Sequence, residues 1–113
     1  MSNWHTQLRK GLVELAVLAS LRSAPDGEAY GYELLQRINR DERFQLTEST
    51  VYPLLAKLAR SNLVAVRIGP SPNGPPRRYY RLTKAGQRHL DDMTAHWKEL
   101  NASIQRLLDG DSP

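Results

Sequence analysis

Residues 63–82, LVAVRIGPSPNGPPRRYYRL, decide the fold. Within Leu63–Ile68, Val64, Val66 and Ile68 alternate with Ala65 and Arg67. Within Arg77–Leu82, Tyr80 and Leu82 alternate with Tyr79 and Arg81. Alternation with period two is the pattern of a strand covered on one face. Between the two runs, Gly69–Pro76 contains four prolines and two glycines. Proline removes a ladder donor and glycine weakens a strand, so this segment is expected to be an extended hairpin tip, neither helix nor ladder.

Helical patterns flank the hairpin on both sides. Just upstream, Val51, Leu54, Leu55 and Leu58 form the apolar face of a helix with Thr47 as its N-cap and Glu48 in its first turn. Asn62 follows its end and tolerates the left-handed conformation found there. Pro53 falls inside this helix, removes the bond to the Ser49 carbonyl and predicts a bend. Earlier, Tyr30–Arg40 is predicted helical, burying Leu34, Leu35 and Ile38, after a type I turn at Ala24-Pro25-Asp26-Gly27. Phe44, in the polar connection that follows, is expected to pack back on the core.

The first helix is predicted over His5–Arg22. Leu8, Leu12, Leu15 and Ala19 make one stripe, with Val13, Val17 and Leu21 beside it. So wide an apolar arc needs cover from two sides, and in a chain this short the second cover is expected from another subunit. The last helix starts after the N-cap candidate Thr83 and runs to about Leu108. In it, Leu90, Met93, Trp97, Leu100, Ile104 and Leu107 follow a 3-4-3-4-3 spacing, the rhythm of a coiled-coil seam. The alternative is a helix that packs on its own domain, but the preceding elements already form a closed unit. Residues 1–82 are therefore expected to form one domain, 83–109 a dimerisation helix and 110–113 a disordered tail.

Charge is segregated along the chain. Residues 49–90 carry eight basic side chains (Lys57, Arg60, Arg67, Arg77, Arg78, Arg81, Lys84, Arg88) and no Asp or Glu, although the whole chain has 16 basic and 12 acidic residues. A merely solvated face mixes both signs, so this stretch points to a polyanion, nucleic acid foremost. The chain contains no cysteine, which excludes disulfides, thiolate metal sites and cysteine nucleophiles. Arg9 and Lys10 before the apolar run Gly11–Leu21 loosely imitate a secretion signal, but Glu14 interrupts the run and its spacing is helical. No run approaches the ~18 apolar residues of a membrane span, so a cytoplasmic protein without a membrane partner is expected.

Three helices, two strands and a long helix give a mainly α fold with a small β-hairpin (α+β), the order of a winged helix-turn-helix. In that arrangement the third helix enters the major groove by its N-terminal end. Thr47, Ser49, Thr50 and Tyr52, all hydroxyl-bearing, are then the candidates for double-stranded DNA, with Lys57 and Arg60 meeting phosphates. Arg67, Arg77 and Arg78 are the hairpin's candidates. The leading end of the helix offers no Arg, Asn or Gln, so no base-reading code is legible. A winged-helix module that binds protein rather than DNA is the alternative, and the carboxylate-free stretch argues against it.

Three segments also resemble a family. Ala29-Tyr30-Gly31-Tyr32-Glu33-Leu34-Leu35 resembles the second-helix signature of PadR transcriptional regulators. Thr47–Leu58, with Tyr52-Pro53-Leu54-Leu55 inside it, is similar to their recognition helix. Arg77-Arg78-Tyr79-Tyr80-Arg81-Leu82-Thr83-Lys84-Ala85-Gly86 is similar to their second wing strand running into the final helix. The resemblance implies a homodimer joined through the final and first helices, Leu8 included, that binds pseudo-palindromic operators, usually as a repressor. It is closest to the short subgroup, some of whose members bind flat aromatic ligands between subunits with a tryptophan of the final helix. Trp97 falls at that place and either stacks on such a ligand or fills the dimer core. Trp4 either covers the same cavity or lies in a frayed N-terminus. Asn62 stands where the family has glycine, and the tip is richer in proline than is usual. No cofactor, metal site or catalytic set is expected; His89 and His96, with Asp92 near, are read as solvated helix residues.

Overall fold

Helix α1 (Ser2–Arg22) carries the wide apolar arc, and the computed structural model, which describes residues 2–110, shows what covers it. Val13, Val17, Leu18 and Leu21 are buried, with Leu15 and Ala19 packed beside them. They meet Leu34, Leu35 and Ile38 of α2 (Gly31–Asn39) and Val51, Leu55 and Leu58 of α3 (Glu48–Arg60). Tyr80 of strand β3 (Gly74–Leu82) and Val64 of β2 (Val64–Ser71) close the core from the sheet. Leu90 of α4 (Lys84–Leu108) closes it from the C-terminal side. The fold is mainly helical with one small antiparallel sheet, a winged helix-turn-helix followed by a long helix. No helix among the described residues is long and apolar enough to cross a membrane.

Several expectations hold in detail. Asn62 adopts φ 59°, and Thr83 caps α4 by accepting from the Gly86 N–H at 2.9 Å. Phe44 packs on the core. Helix α3 continues through Pro53 to Arg60. Thr47 occupies the N-cap with extended backbone but makes no side-chain cap; its hydroxyl turns to Ser49 and Thr50 instead. The expected tail lies, beyond Gly110, outside the described residues.

Four features correct the sequence reading. A third strand, β1 (Glu28–Tyr30), precedes α2 and pairs antiparallel with Tyr79–Arg81, giving the sheet order β1-β3-β2. Three residues are too few to show a period, so the strand was illegible. The turn before it is not type I, because Asp26 has φ 59° and Gly27 φ 73°, conformations that aspartate and glycine tolerate. The Pro/Gly segment is not wholly free of ladder: β2 and β3 pair out to Ser71↔Gly74, with a register irregularity between Gly69 and Ser71 that contains Pro70. That is possible because β2 is an edge strand, and because β1 does not reach Pro75 and Pro76, so each proline can turn its missing donor outward. Helix α1, finally, begins before His5, so Trp4 is helical and not frayed.

The connection between α2 and α3 is held by one side chain that composition did not flag. Asn39 donates to the Leu46 carbonyl and accepts from the Leu46 N–H, both at 2.8 Å. The amide thus substitutes for a backbone pair across a polar loop that includes Gln45 at φ 46°. It fixes the approach to α3, and with it the direction of that helix.

The start of α4 is equally constrained. The Thr83 hydroxyl also donates to the Asn62 carbonyl at 2.7 Å, and the Thr83 N–H donates to the Leu63 carbonyl at 3.1 Å. A Cβ built on Gly86 would stand 1.9 Å from that same Leu63 oxygen. Gly86→Ala is therefore expected to destabilise the fold by about 2 kcal/mol or more, since backbone must move to admit one methyl. Urea unfolding checks this; a midpoint equal to wild type would mean the junction yields freely.

Candidate nucleic-acid interface

Thr47, Ser49 and Thr50 sit together, exposed, at the N-terminal end of α3. Their hydroxyls are linked, Thr47 Oγ1 lying 2.9 Å from Ser49 Oγ and 3.2 Å from Thr50 Oγ1. Each hydroxyl can both donate and accept, so the cluster can reorient toward phosphate or base edges without losing all its partners. Tyr52, one turn on, is 39% exposed and lays its ring across Gly31: a Cβ there would meet Tyr52 Cε1 at 2.5 Å. Burial, then the nearby Glu48 carboxylate, raises the Tyr52 phenol above its ordinary pKa, so it stays a neutral donor. Lys57 and Arg60 are exposed farther along the same helix.

The hairpin sorts its arginines into two kinds. Arg67 is committed within the protein: its guanidinium makes a forked contact with the Glu28 carboxylate, Nε lying 3.0 Å from Oε2 and Nη2 closer still to Oε1. The same group lies 4.5 Å from the Tyr79 ring centroid. Arg81 reaches Glu28 Oε2 at 3.6 Å. Arg77 stacks over Tyr30, 4.0 Å from its centroid, and Arg78 is exposed. Neither Arg77 nor Arg78 has a carboxylate partner among the described residues. The carboxylate-free stretch of sequence is thus not carboxylate-free in space, because β1 carries Glu28 onto it. The missed strand explains the missed partner.

Helix and hairpin meet at one surface. Tyr52 and Ala56 of α3, Tyr30, Gly31 and Tyr32 at the β1–α2 junction, and Arg77, Arg78 and Tyr80 of β3 line a recess of about 570 Å³. On the other side of α3, Arg9 and Lys10 of α1 lie beside Thr47 and Thr50. The structure therefore brings Tyr52 and the two wing arginines without a carboxylate partner to one recess, leaves Thr47 and Thr50 on the other side of α3, and holds Arg67 back on Glu28.

The expected seam on α4 divides. Leu90 is fully buried in its own chain and Met93 packs on the same core, so both serve the protomer. Trp97, Leu100, Ile104 and Leu107 are exposed by 43–66%, and Leu8 and Trp4 of α1 are exposed as well. His89 is not simply solvated: its Nε2 lies 2.9 Å from Glu14 Oε2, tying α4 to α1. No group of three or more His, Asp or Glu among the described residues is arranged to hold a metal.

These elements define a winged-helix transcription regulator. The chain belongs to the PadR-like family of transcriptional regulators, whose family model matches residues 17–92, and it is thereby not an enzyme. Its fold is similar to a PadR family regulator from Eggerthella lenta, 33% identical, with 95% of this chain and 90% of that one covered and a TM-score of 0.82. A PadR-like regulator from Bacillus cereus is 30% identical over 93% of this chain and 99% of that one, with a TM-score of 0.79. PadR of Bacillus subtilis, solved in complex with operator DNA, is 27% identical over 74% of this chain and 46% of that one, with a TM-score of 0.63.

Glu28 offers a test of how the wing is held. The Arg67 hydrogen bonds, opposed by some burial and aided by the Arg67 and Arg81 charges, keep its carboxyl below the ordinary value of 4.5. A carboxyl depressed in the folded state adds stability that is present above about pH 4.5 and lost as pH falls through the folded value. Glu28→Gln is expected to flatten the decline of the thermal midpoint between about pH 5 and pH 3. Parallel wild-type and variant curves would show that the pair contributes nothing.

Proposed function

We propose that the protein is a homodimeric DNA-binding repressor of the PadR type, acting in the cytoplasm on pseudo-palindromic operators. The observation that carries this reading is the shared surface of α3 and β3, where Tyr52 and the unpaired Arg77 and Arg78 flank one recess. Thr47, Ser49, Thr50 and Tyr52 enter the major groove, and Lys57, Arg60 and Arg78 meet the phosphate backbone. Arg77 borders the same groove from Tyr30. Arg67 acts at one remove, by orienting the hairpin through Glu28. Residues 1–82 read DNA, and α4 joins the subunits.

The dimer is built from the exposed half of the α4 seam. Helix α4 runs on past Met93 with Trp97, Leu100, Ile104 and Leu107 uncovered. The radius of gyration, 16.1 Å, exceeds the roughly 13 Å of a compact domain of this length because that half stands clear. A second copy, contributing the same residues, covers it by the symmetry of an isologous contact. In this dimer Trp97 also offers a ring for a flat aromatic ligand to stack on, a route to relief of repression.

Fluorescence anisotropy with DNA from immediately upstream of the protein's own gene tests the reading. Tight binding as a dimer is expected, resistant to unrelated DNA, with log affinity falling against log salt by about 0.9 per phosphate contacted. Arg78→Ala should lower that slope by about one, and Tyr52→Ala should weaken binding roughly tenfold. Arg78→Ala should not shift thermal unfolding appreciably, whereas Tyr52→Ala also loses the packing of its ring on Gly31, so its affinity is read on protein shown to be folded. Unchanged affinity in both variants would remove these residues from the interface, and a shallow slope that ignores sequence would remove the regulator reading itself.

A further inference from the structure

The tip of the hairpin is held far more loosely than its base. The Tyr79 hydroxyl donates to the Pro70 carbonyl at 2.8 Å, and beyond that point residues 71–76 make no side-chain hydrogen bond among the described residues. Pro70, Pro72, Pro75 and Pro76 have no N–H to give the ladder, so between Gly69 and Arg77 only Ser71, Asn73 and Gly74 keep one. The pair that closes the tip, Ser71↔Gly74, is cut off from Gly69↔Arg77 by the register irregularity at Pro70, so it opens without disturbing the rest of the ladder. Pro72 and Asn73 form the exposed corner, and Gly74 is exposed after them. A Cβ placed on Gly74 would meet, apart from its chain neighbours, one atom within 4 Å, Ser71 Oγ at 3.8 Å. The chain has five asparagines, and Asn73 is the one followed by glycine. Asn39 is locked on Leu46 by two hydrogen bonds and Asn101 lies within α4, whereas the Asn73 amide has no hydrogen-bond partner among the described residues.

We propose that Asn73 is a self-modifying site, where the side chain deamidates through a succinimide and places a carboxylate on the hairpin tip. The Gly74 backbone nitrogen attacks Asn73 Cγ, the new N–C bond closes a five-membered ring, and the amide NH2 departs as ammonia with the proton that the nitrogen loses. Water then opens the ring at either carbonyl, leaving aspartate or, with the main chain rerouted through the side chain, isoaspartate. No oxidant or reductant takes part. Glycine at residue 74 matters because a Cβ would hinder the approach and restrict the bent backbone that the ring demands. The product is an acid inside residues 49–90, a stretch that carries eight basic side chains and no Asp or Glu. On the DNA-binding reading above, on which this consequence rests, the tip lies near phosphates and a carboxylate there opposes them. Isoaspartate also adds a methylene to the main chain at the corner, which breaks the Ser71↔Gly74 pair. The change is one-way, so the hold on DNA weakens with the age of the protein and needs no ligand.

The test holds the full-length protein in warm, mildly alkaline buffer and samples it over days. Trypsin cleavage after Arg67 and Arg77 isolates residues 68–77, in which Asn73 is the sole asparagine. This peptide should gain one mass unit and split into aspartate and isoaspartate forms at a rate close to that of the same peptide free in solution. Peptides holding Asn39 and Asn101 should stay unchanged. Gly74→Ala should slow the gain roughly tenfold, and Asn73→Gln should abolish it. In anisotropy, the Asn73→Asp variant should bind operator DNA roughly two- to fivefold more weakly than wild type, with the gap closing as salt is raised. No mass gain in residues 68–77, or a gain roughly tenfold slower than in the free peptide, would overturn the site by showing that the hairpin locks its tip. Equal gain at Asn39 and Asn101 would overturn the assignment to the glycine-flanked corner. Equal operator affinity of Asn73→Asp and wild type would overturn the effect on DNA. Protein that deamidates at Asn73 but binds no operator when fresh keeps the site and overturns the regulator reading, so the two failures are distinguishable.

Discussion

One carbonyl fixes the relation between α3, the hairpin and α4. The Leu63 oxygen receives the Thr83 N–H and lies so close to Gly86 that no side chain fits there. Asn62, in the left-handed conformation, turns the chain from α3 into β2, and its own carbonyl receives the Thr83 hydroxyl. The end of α3, both ends of the hairpin and the start of α4 are therefore tied within a few residues. At the other end of α3, the Asn39 side chain ties the approach to the helix through Leu46. Held at both ends, α3 presents its hydroxyls on a rigid support, as the proposed contact with a duplex requires.

Electrostatics on the sheet depends on which neighbour each arginine finds. Four arginines on two strands would repel one another if left alone. Glu28 meets two of them from a third strand, and the aromatic rings of Tyr79 and Tyr30 lie under Arg67 and Arg77. The result is a hairpin that is stiff at its base and positive at the side that faces α3. Net charge alone would have assigned all four arginines the same role.

Most of the fold was legible because its elements are long and periodic. The four helices, the hairpin, the cap at Thr83 and the turn at Asn62 all follow from apolar spacing and backbone preference. What escaped was short or non-local. Strand β1 is three residues long, and its partner lies some fifty residues away. Asn39 in a polar loop resembles any solvated amide until Leu46 is placed opposite it. The seam at Leu90 and Met93 has the right spacing for an interface, but spacing cannot say which neighbour fills a heptad position, and the protomer core fills these two. The extent of the ladder through the prolines was missed because the sequence does not show which strand is at the edge. Within the candidate interface, the hydroxyl cluster and the Tyr52 position were readable, whereas the tyrosine-walled recess exists only once α2, α3 and β3 converge.

Helix α4 is 25 residues long, roughly 37 Å at 1.5 Å per residue. Its base is pinned at Thr83 and Gly86 and its far half is unsupported by its own chain, so mechanically it is a lever with its fulcrum beside the end of α3. A tilt of about 5° at the base moves the tip by roughly 3 Å over that length. The converse holds as well: in the proposed dimer, where two such levers are clasped at their tips, angular play at each base shrinks, and the separation of the two α3 helices is set far from the surface proposed to meet DNA. Side chains packed between the tips would then tune which half-site spacings the pair accepts, even though none of them comes near a base.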